Sequence, residues 1–204
     1  MDAIIIFLIT TVASVIGSLQ AGIVNTAVLA HTVKRGPEAG RRMALGGSIP
    51  EFIYAVLAFR FASWLLNTLG LDPRGVALLV GAILVLLGLY FAFVFKPAFD
   101  LETVNVKATG VRKGILLGML NPQLIIFWSG VRLALGSIGI TQFGWWEMLA
   151  FGLGAFAGAW LLLLQLVKLG RRALEQWQPG ALRLLFRAVG GVLVVSGVVV
   201  ILRS

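Results

Sequence analysis

The chain alternates long apolar runs with short polar stretches, and six of the runs approach the roughly 20 residues that cross a bilayer as a helix. Ala3 to Val33 carries no charge until Lys34. Met43 to Leu71 is apolar but holds Glu51 and Arg60. Gly75 to Phe95 is uninterrupted, and Gly114 to Leu135 carries one charge, Arg132. Trp145 to Val167 is charged only at Glu147, and Ala181 to Leu202 has Arg183 and Arg187 near its start. The pattern predicts helices over about 3–33, 43–69, 75–95, 114–135, 145–167 and 181–202 in a single transmembrane domain, 1–204. The connections are too short to hold a soluble domain. The first run is longer than a signal-peptide core and follows Met1-Asp2 with no basic segment, so it is expected to be a retained span.

The polar stretches differ in sign content. Loop 1–2 holds Lys34, Arg35, Arg41 and Arg42, and loop 3–4 holds Lys96, Lys107, Arg112 and Lys113. Loop 5–6 with the start of helix 6 holds Lys168, Arg171, Arg172, Arg183 and Arg187. The opposite side has only Arg60, Arg74, Arg132 and Arg203. Positive residues mark the cytoplasmic side. The odd-numbered loops are therefore expected to face the cytoplasm, with both termini outside. Trp145 and Trp146 read as an outer interfacial belt, and Trp177 as an anchor at headgroup level.

Composition agrees with that reading. Of 204 residues, 59% are apolar and 12% charged, with 25 glycines besides; the mean hydropathy is +0.99. Soluble domains are about 25% charged, so a soluble enzyme or a disordered chain is excluded. The net charge of +9 follows from topology and implies no nucleic-acid partner. With no cysteine and one histidine, thiolate and multi-histidine metal sites and Ser-His-Asp triads are not available, and no cofactor is implied.

Helix breakers at membrane depth carry the most information, because unwound backbone survives only where protein or a water cavity satisfies it. Three segments qualify. They are Gly22-Ile23-Val24-Asn25, preceded by Ser18 and Gln20; Gly46-Gly47-Ser48-Ile49-Pro50-Glu51; and Asn121-Pro122-Gln123. Pro122 removes a backbone donor. Breaks in helices 1 and 4 lie three spans apart, so the fold class is an all-α membrane protein with an inverted 3+3 repeat and broken helices 1 and 4. That arrangement suits a transporter with its site near the midplane. The glycines of helices 3, 5 and 6 read as close packing between helices, and they permit a homodimer.

These segments resemble the LysE-type (LysE/RhtB) amino-acid exporter family. Gly22-Ile23-Val24-Asn25, Gly36 and Gly40-Arg41-Arg42 resemble its Gly-Pro-x-Asn segment and the glycine- and arginine-rich loop after it. Gly114 to Trp128, with Leu120-Asn121-Pro122-Gln123, resembles its Asn-Pro segment, and Ser48 to Tyr54 falls where the family often has an acidic residue. Ile23 replaces a usual Pro, Gln123 a common Lys, and Gly118 an Asn. The resemblance implies a secondary transporter of the bacterial inner (plasma) membrane that exports an amino acid or related small polar metabolite by alternating access, coupled to protons or cations. A divalent-metal exporter and a non-transport assembly subunit are the alternatives; a metal would find a single mid-span Glu, where such ions take several oxygen ligands.

Glu51 is the leading site residue. A charge at mid-span costs about 2.5–3.5 kcal/mol on insertion scales, so it should face a cavity or a partner, where it can exchange a proton or hold an amino group. Tyr54, three residues on, shares its helix face. Gly22, Asn25, Asn121, Pro122, Gln20 and Gln123 complete the expected substrate and coupling set, with helix N-termini at the breaks offering N–H groups to a carboxylate. Arg60 and Arg132 are expected to reach the outer interface, Arg60 beside Trp64, or to form a vestibule that attracts a carboxylate. His31 reads as an interfacial or helix-end residue, with a proton relay as the lesser reading, and Gln165 as a polar group between helices or along the path.

Overall fold

The computed structural model describes residues 2–19, 22–69, 73–94, 110–121, 123–137, 140, 144–170, 172 and 179–203. These are helical throughout, apart from short connections. In chain order the elements are α1 (Asp2–Ser18), α2 (Ile23–Arg35), α3 (Pro37–Leu69) and α4 (Pro73–Leu89), which runs on into a π-helical turn, Tyr90–Val94. Then come α5 (Val111–Met119), α6 (Gln123–Ser137), α7 (Trp145–Leu169) and α8 (Pro179–Arg203).

Among the described residues two helices, over Pro37–Phe61 and Trp145–Leu169, are long and apolar enough to cross a membrane. The pair α1–α2 bends by 73° at its break and the pair α5–α6 by 72°; counting each pair as one span gives four candidates. The described apolar stretches of α4 and α8, Ala77–Leu86 and Leu193–Leu202, are shorter than a full span. Large apolar side chains on the outward faces, among them Leu8, Val12, Leu86, Leu153 and Leu202, are exposed, as a lipid-facing surface requires.

The sequence places a third break at Gly46–Glu51, and the structure corrects this. The helix α3 is continuous from Pro37 to Leu69 with Pro50 inside it. Membrane helices tolerate proline where neighbours re-satisfy the backbone, and here Pro50 has close support. A methyl placed on Gly118 of α5 would sit only 2.6 Å from Pro50 Cγ. The helix also begins six residues before Met43. Gly36, at φ +91°, turns the chain from α2 directly into α3, a conformation open to glycine and strained for other residues. Pro37 suits the first helical position, and Glu38 pairs with Arg42 at 3.1 Å and Arg41 at 3.9 Å. The expected basic loop is therefore largely helical.

α7 packs on α1, α2 and α3; α3 packs on α2, α5 and α6; and α4 packs on α8. The apolar core has two main parts. One joins Ile6, Ala55, Phe59, Trp128, Phe151 and Ala155. The other joins Val28, Leu29, Met43, Ala44, Leu163 and Leu166. Both α3 and α7 thus lend one end to each part, which leaves Glu51 and Ala159 at the level between them.

The α4–α8 contact is antiparallel and made of glycine. A methyl on Gly88 would meet Gly190 O and Val194; one on Gly197 would meet Gly81 O and Val85. A methyl on Gly81 would meet Gly197 O and Ile201, and one on Gly190 would meet Gly88 O and Ala92. The contacts interchange when each α4 residue is swapped for the α8 residue 109 positions later. Segments 80–88 and 189–197 align in that register with Val, Gly, Leu, Val and Gly at the same places.

Candidate functional site

The α1–α2 break leaves helix-end groups that need partners. The Asn25 side-chain amide donates to Ser18 O at 2.5 Å and so spans the break. The Thr26 hydroxyl donates to Gly22 O at 3.0 Å. Gly22, in extended backbone, opens α2 without a side-chain cap. At the second break the arrangement differs. Asn121 Oδ1 accepts the Gln123 N–H at 3.2 Å, which caps α6 as asparagine does at helix starts. Met119 O, at the end of α5, accepts the Tyr54 hydroxyl at 2.7 Å. Each break is therefore held by side chains within reach of α3 or of the break itself.

The two breaks meet at one cleft. Gly22 and Asn25 line it from the first, Gly118 and Asn121 from the second, Glu51 and Gly47 from α3, and Ala159 from α7. Its empty space is about 430 Å³ when the open solvent at its mouth is included. Glu51 is its one ionisable group among the described lining residues. One carboxylate oxygen accepts the Trp128 indole N–H at 2.8 Å, and the other accepts the Ser18 hydroxyl at 3.5 Å. Trp128 is fully buried, with edge contacts to Phe127 and Phe151 at 4.9 and 5.4 Å between ring centres.

Of the residues singled out from sequence, Gly22, Asn25, Glu51 and Asn121 come together here. Tyr54 of α3 does not line the cleft; its hydroxyl reaches the end of α5 instead. The Gln123 side chain is drawn off to the Tyr90 hydroxyl at 3.2 Å. Gln20 and Pro122 lie outside the described residues. Gln165 is exposed on α7 and does not line the cleft. Sequence reading missed Trp128, the strongest hydrogen-bond partner of Glu51. Its signal was a tryptophan far from either interface, whose N–H must find an acceptor when buried.

Three expectations about basic residues are corrected. Arg132 does not reach the interface: it is 3% exposed, and its guanidinium lies 5.0 Å over the ring of Phe59. Arg60 is exposed, but its ring partner is Trp145 at 5.6 Å, because α7 begins beside this end of α3; Trp64 instead tilts against Phe61. His31 is wholly buried, its Nδ1 2.7 Å from Ala27 O one turn back. Among the described residues no three acidic or histidine side chains come close enough to hold a metal ion.

Residues 15–204 match the family model of the LysE type translocators. No curated protein matches the chain, and no solved structure does.

Proposed function

The chain belongs to the LysE type translocator family, and we propose on that basis that it exports an amino acid or a closely related small polar metabolite by alternating access. The observation that carries this is the cleft: two helix breaks from distant parts of the chain and one mid-span carboxylate converge on it. Broken helices facing each other near mid-membrane are how many secondary transporters build a substrate site. The α2 start, with no side-chain cap, offers backbone N–H groups to a carboxylate, and Glu51 takes the amino group or a coupling proton. Asn25, Asn121 and Tyr54 hold the broken ends in register. Gln20, Pro122 and Gln123 belong to the same two breaks.

The packing supports two inverted halves, α1–α4 and α5–α8. Each half consists of a broken pair, a long helix and a further helix. The first helix of each half packs on the long helix of the other, α1 on α7 and α5 on α3. The bends at the breaks differ by one degree, and the α4–α8 glycine contacts interchange. Rocking one half against the other opens the cleft to alternate sides. The basic ends of α2 and α5 face the cytoplasm in this reading.

The test is flux in proteoliposomes under an imposed pH gradient, with basic, neutral and acidic amino acids plus Mn²⁺ and Cd²⁺. Gradient-driven movement of one amino-acid class is the expected result. Glu51→Gln should abolish this gradient-driven movement at normal expression. Movement of a metal alone, or of nothing, overturns the proposal.

A further inference from the structure

We infer that the far end of the α3–α6 pair is a second station for the substrate, one that takes a carboxylate between Arg60 and Arg132; this rests on the exporter reading above. Arg132 lies one turn beyond Trp128 on α6. A cation within an apolar membrane helix is costly to insert and marks a pathway or a partner by default, and Arg132 is 3% exposed. The guanidinium is held over Phe59. The next residue of α3, Arg60, stands over Trp145. A cleft of about 330 Å³ opens between Phe59, Arg60, Gly144, Trp145 and Met148. Arg132 itself does not line this cleft, but Phe59 does, and the same residue carries the buried guanidinium.

The chemistry of this cleft is opposite in sign to that of the Glu51 cleft. Its ionisable lining residue is Arg60. The nearby acid, Glu147, is turned onto the Gly144 N–H at 3.0 Å at the start of α7. Two planar guanidinium forks beside aromatic rings suit bidentate recognition of a carboxylate. Geometry also separates the stations. Nine residues of α3 between Glu51 and Arg60 correspond to a rise of about 13.5 Å, whereas the ammonium and carboxylate of an α-amino acid share one carbon. The same nine residues turn the helix by about 900°, which sets Glu51 and Arg60 on opposite faces of α3, so an α-amino acid meets the two in turn. The ammonium is released from Glu51 before the carboxylate is taken up by the arginines, and a change of the Phe59 side-chain rotamer that carries its ring off the guanidinium brings Arg132 into reach.

The test compares an amino acid that the wild-type protein transports with its decarboxylated amine as competitor, in proteoliposomes. The variants are Arg60→Gln, at an exposed position, and Arg132→Lys, which keeps charge but loses the fork. The amino acid's half-saturating concentration should rise about tenfold in each variant, the worth of one charge-assisted hydrogen bond. The amine's inhibition constant should stay at its wild-type value. Equal shifts for both ligands, or an unchanged ratio in both variants, overturn the second station while leaving the exporter intact. Absence of amino-acid flux in the wild-type protein overturns the exporter reading itself, and is seen before any variant is made.

Discussion

Alanine at Gly88 should destabilise the protein, while alanine at Gly191 on the same helix pair should not. A methyl at Gly88 would lie 2.6 Å from Gly190 O, 2.7 Å from Val194 Cγ2 and 2.8 Å from Val194 N. Optimal contacts between such atoms are about 3.5–4.0 Å, so α4 and α8 must part by about 1 Å. Backbone atoms cannot swing aside as a side-chain tip can. Overpacking of this kind costs about 1–3 kcal/mol, and alanine recovers about 1 kcal/mol of helix propensity. The net loss at Gly88 is therefore about 0–2 kcal/mol. At Gly191 nothing lies within 4 Å of the added methyl, and only the propensity gain of about 1 kcal/mol applies. The gap between the two variants should be about 1–3 kcal/mol by these same figures. Thermal unfolding of both proteins, purified side by side in one detergent, measures it. Gly197→Ala supplies the internal check, because its surroundings are those of Gly88 with the helices exchanged, and it should match Gly88→Ala. If Gly88→Ala melts at or above Gly191→Ala, the close-contact argument is wrong. If Gly197→Ala is benign while Gly88→Ala is not, the interchange of the two helices is wrong.

Other expectations concern the cleft. Trp128→Phe keeps a ring among Phe127 and Phe151 but removes the donor to Glu51. Transport should fall about tenfold, in line with one hydrogen bond to a charged group, while the size-exclusion profile stays unchanged; full transport would show that the indole does not position the carboxylate. Asn121→Ala strips the α6 cap and should cost about 1 kcal/mol of stability, read by the same unfolding assay, and Asn121→Ser should restore most of it. No recovery with serine would mean that Asn121 acts through something other than its acceptor oxygen.

Length and hydropathy made the helical architecture legible, because a run of apolar residues has few other uses. The breaks at Asn25 and Asn121 were legible because asparagine offers the backbone a local partner, and both side chains bond to backbone near their own break. Pro50 misled for the opposite reason. Whether a proline interrupts a helix depends on what packs around it, and Gly118, which receives its ring, is 68 residues away in sequence. Glu51 could be read from its cost alone, but Trp128 could not, since its role depends on which helix α6 lies against. The fate of Arg132 was hidden likewise. A cation near a helix end snorkels when water is in reach, and only the placement of Phe59 shows that it does not. The swap between segments 80–88 and 189–197 emerged only once the structure had set the antiparallel register that aligns them.

The meeting of α4 and α8 has a thermodynamic consequence as well. Where Gly81, Gly88, Gly190 and Gly197 touch, main chain lies on main chain or on the side chains of alanine and of the β-branched valine and isoleucine. Within a bilayer there is little hydrophobic gain from bringing two helices together, and packing must supply the attraction. Conformational entropy usually opposes such packing, since long side chains lose rotamers when they are pinned. Glycine has no rotamers to lose, and valine has few. The two helices therefore associate at this seam with little side-chain entropy cost. A seam of that kind can also open and re-form through many cycles without having to freeze flexible side chains each time.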